Sequence, residues 1–172
     1  MTVATEEARS DVPSVEIVRA DLNDPAHARA VLELLDAFAR EPVSGGSPLE
    51  PEVRERLISG LRRHATTLIL LAREADRYIG TAVCFIGFST FFARPLLNIH
   101  DLTVLRDHRG KGIGRLLMQE VESAARAMDC CRITLEVRED NSGARRLYDR
   151  EGYRGKSETD GIRYLFMQKR LG

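Results

Sequence analysis

The spacing of apolar residues along the chain predicts a series of strands and helices. Positions alternate in polarity over the first strand, 14–20, whereas apolar residues three and four apart mark the helices. The predicted strands are 14–20, 66–73, 77–88, 96–104, 132–137 and 163–169, and the predicted helices are 26–39, 50–63, 112–128 and 142–151. The strongest helix pattern is that of 112–128, with apolar Ile113, Leu116, Leu117, Val121, Ala124 and Met128. This order predicts a mixed α/β fold.

The remaining segments predict how the chain is organised. Residues 1–13 are polar and have neither a basic start nor an apolar core, so they do not resemble a signal peptide. We expect a flexible tail at 1–13 and a single domain at 14–172, since 172 residues suit one compact domain. The stretch 40–49 is rich in Gly, Ser and Pro and predicts a flexible loop.

Composition disfavours several classes of protein. Lys plus Arg is 26 and Asp plus Glu is 26, so no basic excess indicates a nucleic-acid surface. No stretch is long and apolar enough to span a bilayer. Cys84, Cys130 and Cys131 have neither metal-ligand spacing nor the even count of a disulfide framework. We therefore expect a cytoplasmic protein that binds no metal, nucleic acid or membrane.

A glycine-rich turn lies between the strand that ends at Val104 and the strongest helix. Gly110, Gly112 and Gly114 allow backbone amides to approach a ligand closely, and a helix N-terminus favours an anion. Arg109, Lys111 and Arg115 add positive charge. A pyrophosphate suits this turn, although an ordinary glycine-rich connection is the alternative. Neither the Walker loop nor the Rossmann spacing is present.

The run from Arg109 to Gly114, which includes Ile113, has the spacing R-x-x-G-x-G. It resembles the signature loop of the GNAT superfamily of N-acetyltransferases, which binds the pyrophosphate of acetyl-CoA through backbone amides. The resemblance implies a GNAT-like fold, in which helices flank a central twisted sheet. It also implies acetyl-CoA as the co-substrate and, from family habit alone, a homodimer.

Two further segments carry the same resemblance. The run from Asn141 to Tyr153 (NSGARRLYDREGY) is similar to a second family signature, in which Asn141 caps a helix and Tyr148 takes the place of the catalytic tyrosine. The alternative is that Tyr148 is a core aromatic residue. The strand before the loop corresponds to the one that pairs with the pantetheine arm, and its pairing positions are Leu102, Thr103 and Val104.

The reaction that the resemblance implies needs a base and an acid. An alkyl ammonium with a pKa of about 10 must lose a proton before it attacks, and the CoA thiolate must gain one. Tyr148 is the candidate acid. His100 is the candidate base, in a strand that resembles the spermidine/spermine N-acetyltransferase branch, where the dipeptide is usually Glu-Asp instead of His100-Asp101. A structural role for His100 is equally open.

Acceptor residues and rival functions remain as alternatives. Asp101 is a candidate for attracting a cationic amine, for orienting His100 or for a purely structural hydrogen bond, and Glu136 is a weaker substrate-binding candidate on the adjacent strand. We expect acetyl transfer to a primary amine, with a small cationic amine favoured. An acetyltransferase of protein lysines or N-termini and a non-catalytic acyl-CoA sensor are the rivals. Phe85, Phe88, Phe91 and Phe92 are expected to pack in the core, or else to form a substrate wall or dimer contact.

Overall fold

The computed structural model describes residues 14–155, and its elements follow the predicted order. The strands are β1 (Val15–Arg19), β2 (Thr67–Glu74), β3 (Arg77–Ser89), β4 (Arg94–Val104) and β5 (Ile133–Leu135). The helices are α1 (Pro25–Ala39), α2 (Pro51–Arg63), α3 (Ile113–Ala127) and α4 (Ser142–Arg150), and a 3₁₀ turn covers Arg106–His108. Among the described residues, no helix is long and apolar enough to cross a membrane.

The five strands form one mixed sheet in the order β1-β2-β3-β4-β5. The first four strands pair antiparallel, and β5 pairs parallel with β4. A parallel neighbour requires a crossover, which α3 supplies between β4 and β5. The predicted α/β sheet with flanking helices is therefore confirmed.

The sheet buries apolar side chains on both faces. On one face, Ile69, Leu71 and Val83 form a core with Val31 and Leu34 of α1, and Leu57, Ile58 and Leu61 of α2 pack against it. The other face carries α3, where Leu117 lies so close to Gly80 that a Cβ at Gly80 would be 3.3 Å from its Cδ1. The two layers of helix thus exclude water from a strand pair that is apolar on both sides.

The chain divides into two compact units, Met1–Glu136 and Val137–Gly172. The sheet, α1, α2 and α3 belong to the first unit. Within the second unit, α4 begins at Asn141, whose side-chain oxygen accepts a hydrogen bond from the Ala144 amide at 3.2 Å. Gly152 follows the helix with φ of 85°, the left-handed conformation common after helix ends. The single domain at 14–172 stays a prediction.

The loop between α1 and α2 is tied down at its ends by Asp36. This buried carboxylate accepts hydrogen bonds from Arg40 at 3.0 Å and from the Leu49 amide at 3.0 Å, and it lies 2.7 Å from Arg54. Burial alone would raise the pKa of Asp36, but these hydrogen bonds hold it below its usual value. Both ends of the stretch 40–49 are therefore held in place by the Asp36 carboxylate.

Several sequence predictions need correction. β5 covers 133–135 instead of 132–137, because its ladder with β4 stops at the Ile99–Leu135 pair. β4 begins earlier than predicted, at Arg94, so Pro95 lies in a strand and not in a loop. On α3 it is Met118 that is buried, whereas Leu116 is exposed. The predicted strand 163–169 lies outside the described residues.

Candidate active site

The turn from β4 into α3 depends on two glycines in the left-handed region. Gly110 has φ of 77°, and Gly112, the residue that caps the N-terminus of α3, has φ of 84°. Residues with a Cβ adopt this left-handed conformation only at a cost in free energy. A Cβ at either glycine would meet no atom within 4 Å, so both positions border open space. The glycines are therefore required by backbone conformation and not by crowding.

The amides of this turn are available to a ligand. Within the described chain, no backbone hydrogen bond outside the helix ladder is donated by residues 110–114, and the first amide of the ladder, that of Leu116, bonds to the Gly112 carbonyl at 3.1 Å. Gly112 has no side chain to cap the helix. Unsatisfied amides and the positive end of the helix dipole together favour a multiply charged oxyanion. The geometry fits a pyrophosphate.

Arg109 is tied to the protein through its side chain. Its guanidinium holds both carboxylate oxygens of Glu41, at 2.8 and 3.1 Å, and its Nε donates to the Val104 carbonyl at 2.8 Å. The expected positive charge of Arg109 is thus paired with a carboxylate. The Arg109 side chain therefore fixes the turn, whereas Lys111 is exposed beside the glycines.

The strand before the turn has a free edge. β4 pairs with β5 only from Leu97 to Ile99. In the next stretch, Leu102, Thr103 and Val104 pair with β3 on one side, and within the described residues no strand pairs with their other side. Such an edge can accept an extended ligand as an additional strand. These are the three residues predicted to pair with the pantetheine arm.

A β-bulge sets the direction of the candidate base. Val83 lies opposite Asp101 and Cys84 opposite Ile99, so His100 is the extra residue in β4. Because opposite residues share a face of the sheet, Asp101 lies on the face of Val83. His100 lies on that face too, since its exposed ring meets the Phe85 ring edge to face at 5.5 Å. Two consecutive polar side chains therefore share the face that carries α1 and α2.

Asp101 sits in a poorly solvated position. Its side chain is half-buried, and this burial raises its pKa above the usual value, although the nearby His100 acts in the opposite direction. Burial, together with the charge of Asp101, also raises the pKa of Cys84 to about 12. Cys84 therefore stays a thiol at neutral pH and packs as an apolar residue.

A cleft opens on the same face of the sheet, between α2 and β3. Its volume is about 480 Å³, and the lining residues are Val53, Arg56, Leu57, Gly60, Leu61, His64 and Phe85. The exposed His64 ring packs edge to face on Phe85, with centroids 5.0 Å apart. The Phe85 ring thus contacts the rings of both His64 and His100. The cleft could not be predicted from the sequence, because its walls come from separate elements of the chain.

The second unit holds the candidate acid. Tyr148 is half-buried, and burial raises the pKa of its phenol. Its ring centroid lies 6.1 Å from that of Tyr153. Ala144, Leu147 and Tyr148 are the three residues of α4 that are not exposed, and their spacing of three and four places them on one face of the helix. Asn141 caps this helix as predicted.

Other sequence-predicted residues fall outside these features or in unexpected environments. Glu136 is exposed and follows the end of β5. The expected core packing is wrong for Phe88, Phe91 and Phe92, which are 64%, 97% and 59% exposed. They lie at and around the tip of the β3–β4 hairpin. In the part of the chain that the structure describes, no three acidic, His or Cys residues converge to hold a metal.

Comparison with known proteins agrees with this geometry. Residues 28–153 match the model of the Acetyltransferase (GNAT) family. The chain is 29% identical over 126 residues to the proposed phosphinothricin acetyltransferase YwnH of Bacillus subtilis, covering 68% of this chain and 74% of that protein. It is 33% identical over 86 residues to the N-alpha-acetyltransferase MAK3 of Arabidopsis thaliana, covering 50% of this chain and 44% of the relative.

A solved structure shares the fold over nearly the whole chain. The integron cassette protein VCH_CASS6 from the mobile metagenome of V. cholerae superposes with a TM-score of 0.73 and 25% identity, covering 89% of this chain and 93% of that one. The family match includes β4, the glycine turn and α3 of the first unit and α4 of the second, which are the elements that carry the candidate residues. The chain therefore belongs to the acetyltransferase (GNAT) family and is an acyl-CoA-dependent N-acetyltransferase.

Proposed function

We propose that the protein transfers an acetyl group from acetyl-CoA to a primary amine, by direct attack within a ternary complex. A small cationic amine is the proposed acceptor. The observation that carries the proposal is the junction at Gly112, where unpaired amides at a helix N-terminus adjoin the free edge of β4. A pyrophosphate and a pantetheine arm need these two features side by side.

The cofactor would be held mainly by backbone groups. The amides of residues 110–114 would bind the pyrophosphate oxygens, with Lys111 and Arg115 as further cations. Leu102, Thr103 and Val104 would pair with the amide groups of the pantetheine arm. Arg109 would act through Glu41, by keeping the turn in the conformation that points its amides outward.

Acetyl transfer would then need two proton movements. A base removes one proton from the ammonium, and the neutral nitrogen attacks the thioester carbonyl carbon. Collapse of the tetrahedral intermediate breaks the carbon–sulfur bond, and the thiolate takes a proton from the acid. His100 is the proposed base, because it is exposed beside Asp101 on the bulge. Tyr148 is the proposed acid, because it takes the place of the catalytic tyrosine in the family signature and its phenol carries a proton at neutral pH.

Asp101 is proposed to attract the ammonium group of the acceptor. It lies on the same face as His100, and its burial strengthens the attraction to a nearby cation. Glu136 is the weaker candidate for the same role. A location in the cytoplasm, a homodimer and a place in the spermidine/spermine branch stay predictions.

Two rival functions follow from different features. The partial likeness to a protein named as an N-alpha-acetyltransferase favours a peptide N-terminus as the acceptor, and protein lysines belong to the same alternative. A non-catalytic acyl-CoA sensor would keep the glycine junction without using Tyr148. The retained tyrosine on a half-buried helix face supports an enzyme over a sensor.

A thiol-release screen tests the proposal. Purified protein is incubated with acetyl-CoA and, in separate reactions, with polyamines, aralkylamines, amino acids, aminoglycosides and peptides. We expect CoA thiol release with at least one small amine and little with peptides. Binding of acetyl-CoA, measured by calorimetry, without thiol release from any acceptor would favour the sensor instead. Release with peptides alone would favour the protein acetyltransferase.

A further inference from the structure

We propose that the cleft between α2 and β3 binds the apolar body of the acceptor, so that the enzyme prefers aralkyl and branched alkyl amines over polyamines. The proposal rests on the acetyl transfer proposed above and specifies its acceptor. Its basis is the position of Phe85, which lines the cleft and also contacts the ring of His100.

The lining of the cleft selects against a second positive charge. Its walls are mainly the apolar side chains of Val53, Leu57, Leu61 and Phe85, and none of the described residues in its lining is a carboxylate. The guanidinium of Arg56 is the charged group there, and it already lies 3.4 Å from its ion-pair partner Glu52, so it offers a second ammonium no attraction. An ammonium group bound there would lose its hydrating water without gaining an anionic partner, and this desolvation is unfavourable in free energy. A polyamine, charged along its length, is therefore a poor occupant.

The other end of the proposed site suits a single ammonium group. His100 and Asp101 leave the bulge on the same face of the sheet as Phe85. Asp101 provides the negative charge that the cleft lacks. An amine bound with its nitrogen at the bulge would direct its carbon skeleton across Phe85 toward α2. The polar end and the apolar end of such a ligand would each meet a matching surface.

The size of the cleft agrees with this occupant. A volume of about 480 Å³ lies within the roughly 300–1,000 Å³ typical of small-ligand pockets. The rings of Phe85 and His64 meet edge to face and leave an aromatic surface along one wall. An aralkylamine such as phenethylamine has one ammonium and one ring, which are the two groups that the surfaces accept.

Gly60 offers a direct way to fill the cleft. It lines the cleft on α2, and a Cβ there would meet no atom within 4 Å, so a larger side chain enters open space. Gly60→Leu should therefore block the cleft while the helix remains intact, since leucine is a better helix former than glycine. The matched control is Glu55→Leu, which places the same side chain at an exposed position of α2 that does not line the cleft.

The experiment measures acceptor selectivity in the thiol-release assay. The acceptors are phenethylamine, isopentylamine, methylamine, putrescine and spermidine. We expect kcat/KM for phenethylamine to exceed that for spermidine at least tenfold. Gly60→Leu should lower the ratio of kcat/KM for phenethylamine to that for methylamine at least tenfold, mainly through KM, and Glu55→Leu should leave this ratio within twofold of wild type.

Failure of this inference is distinguishable from failure of the proposed function. Spermidine turnover that equals or exceeds phenethylamine turnover, with Gly60→Leu having no effect on the ratio, would overturn the cleft proposal and leave amine acetylation intact. Absence of thiol release from every amine would overturn the function. In that case NMR titration with phenethylamine in the presence of CoA decides the cleft: shifts centred on the Gly60 and His64 amides support binding there, and their absence excludes it.

Discussion

The carboxylate of Glu41 is held by the guanidinium of Arg109 through two hydrogen bonds, of 2.8 and 3.1 Å, although 68 residues separate the two in sequence. Glu41 lies at the start of the loop between α1 and α2, one residue after Arg40, and Arg109 directly precedes the glycine turn. Because Arg109 also donates to the Val104 carbonyl, one side chain links the end of β4, the turn and the α1–α2 loop. The conformation of the proposed phosphate site thus depends on a carboxylate outside it.

Replacing Glu41 tests this dependence. We expect Glu41→Ala to weaken acetyl-CoA binding about three- to tenfold, because the released guanidinium no longer fixes the turn. The effect on unfolding should be small, about 1 kcal/mol or less, since the pair is partly exposed. Isothermal titration calorimetry measures the Kd, and thermal unfolding measures the stability. The control is Glu16→Ala, which removes the exposed Arg73–Glu16 ion pair between β1 and β2. Equal Kd values for all three proteins would contradict a role for Glu41.

The left-handed conformation of Gly112 gives a second prediction. We expect Gly112→Ala to cost roughly 1–2 kcal/mol of stability, the cost of placing a Cβ in this region, and Gly112→Val to weaken acetyl-CoA binding severely. The side chain of valine would also stand over the amides that receive the ligand. Calorimetric titration and thermal unfolding check both variants. Wild-type affinity in Gly112→Val would show that the pyrophosphate binds elsewhere.

A glycine in an ordinary helical conformation is the natural control for Gly112. Gly60 lies inside α2, and a Cβ there meets no neighbour within 4 Å. We expect Gly60→Ala to stabilise the protein by about 0.5–1 kcal/mol, the difference between the two residues in a helix interior. Its measured change in unfolding free energy should thus have the opposite sign to that of Gly112→Ala. A destabilised Gly60→Ala would mean that the cleft closes around this position.

The parts of the site that depend on local sequence could be predicted, and the parts that depend on pairing could not. The glycine turn follows from its own residues, because a positive φ at Gly110 and Gly112 and the start of α3 are local properties. No glycine or proline marks the bulge at His100, and its trace in the sequence is the pair of consecutive polar residues, His100 and Asp101, that interrupts the alternation of β4. This interruption does not say which residue is extra, and the register against β3 identifies it as His100.

Long-range contacts explain the other differences. The Arg109–Glu41 pair and the wall that Phe85 shares with α2 join segments far apart in the chain, so spacing carries no information about them. The exposure of Phe91 was also unpredictable, because an aromatic residue at a hairpin tip has the same sequence pattern as one in a core. The strands and helices themselves were predictable because burial imposes a period on each of them.

Asp101 allows a prediction about pH. Burial raises its pKa in the folded protein above the value of about 3.9 that it has when unfolded. Well below pH 3.9 the carboxyl is protonated in both states and does not lower the free energy of unfolding. As the pH rises, the unfolded state releases its proton more readily than the folded state does, so stability is lost until the folded pKa is passed. We therefore expect Asp101→Asn to raise the Tm at pH 7 by up to about 2–4 °C, the shift that 1 kcal/mol gives in a chain of this size.

The same variant at low pH supplies the internal control for Asp101. The gain in Tm should disappear near pH 3.5, where the wild-type carboxyl is itself neutral. Thermal unfolding of both proteins at the two pH values checks the sign. A gain that is independent of pH would mean that the amide packs better than the carboxyl, and that desolvation of the charge is not the cause. Activity should fall in Asp101→Asn at pH values where the wild-type carboxyl is ionised, if the carboxylate attracts the acceptor.

Tyr148 gives the most direct test of the proposed chemistry. We expect Tyr148→Phe to lower kcat about 10²–10⁴-fold, the range that general acid catalysis typically contributes, and to leave the Kd for acetyl-CoA nearly unchanged. The ring and its packing on α4 remain in this variant, and only the hydroxyl is lost. Because burial raises the pKa of the phenol, the wild-type rate should fall at high pH with a midpoint above 10, the usual value for a tyrosine.

The matched control for Tyr148→Phe is Tyr153→Phe, which removes the hydroxyl of the neighbouring ring and should retain most of the activity. A pH–rate profile for kcat, recorded for the wild type and both variants, separates the two tyrosines: unchanged turnover in Tyr148→Phe would mean that another group protonates the thiolate.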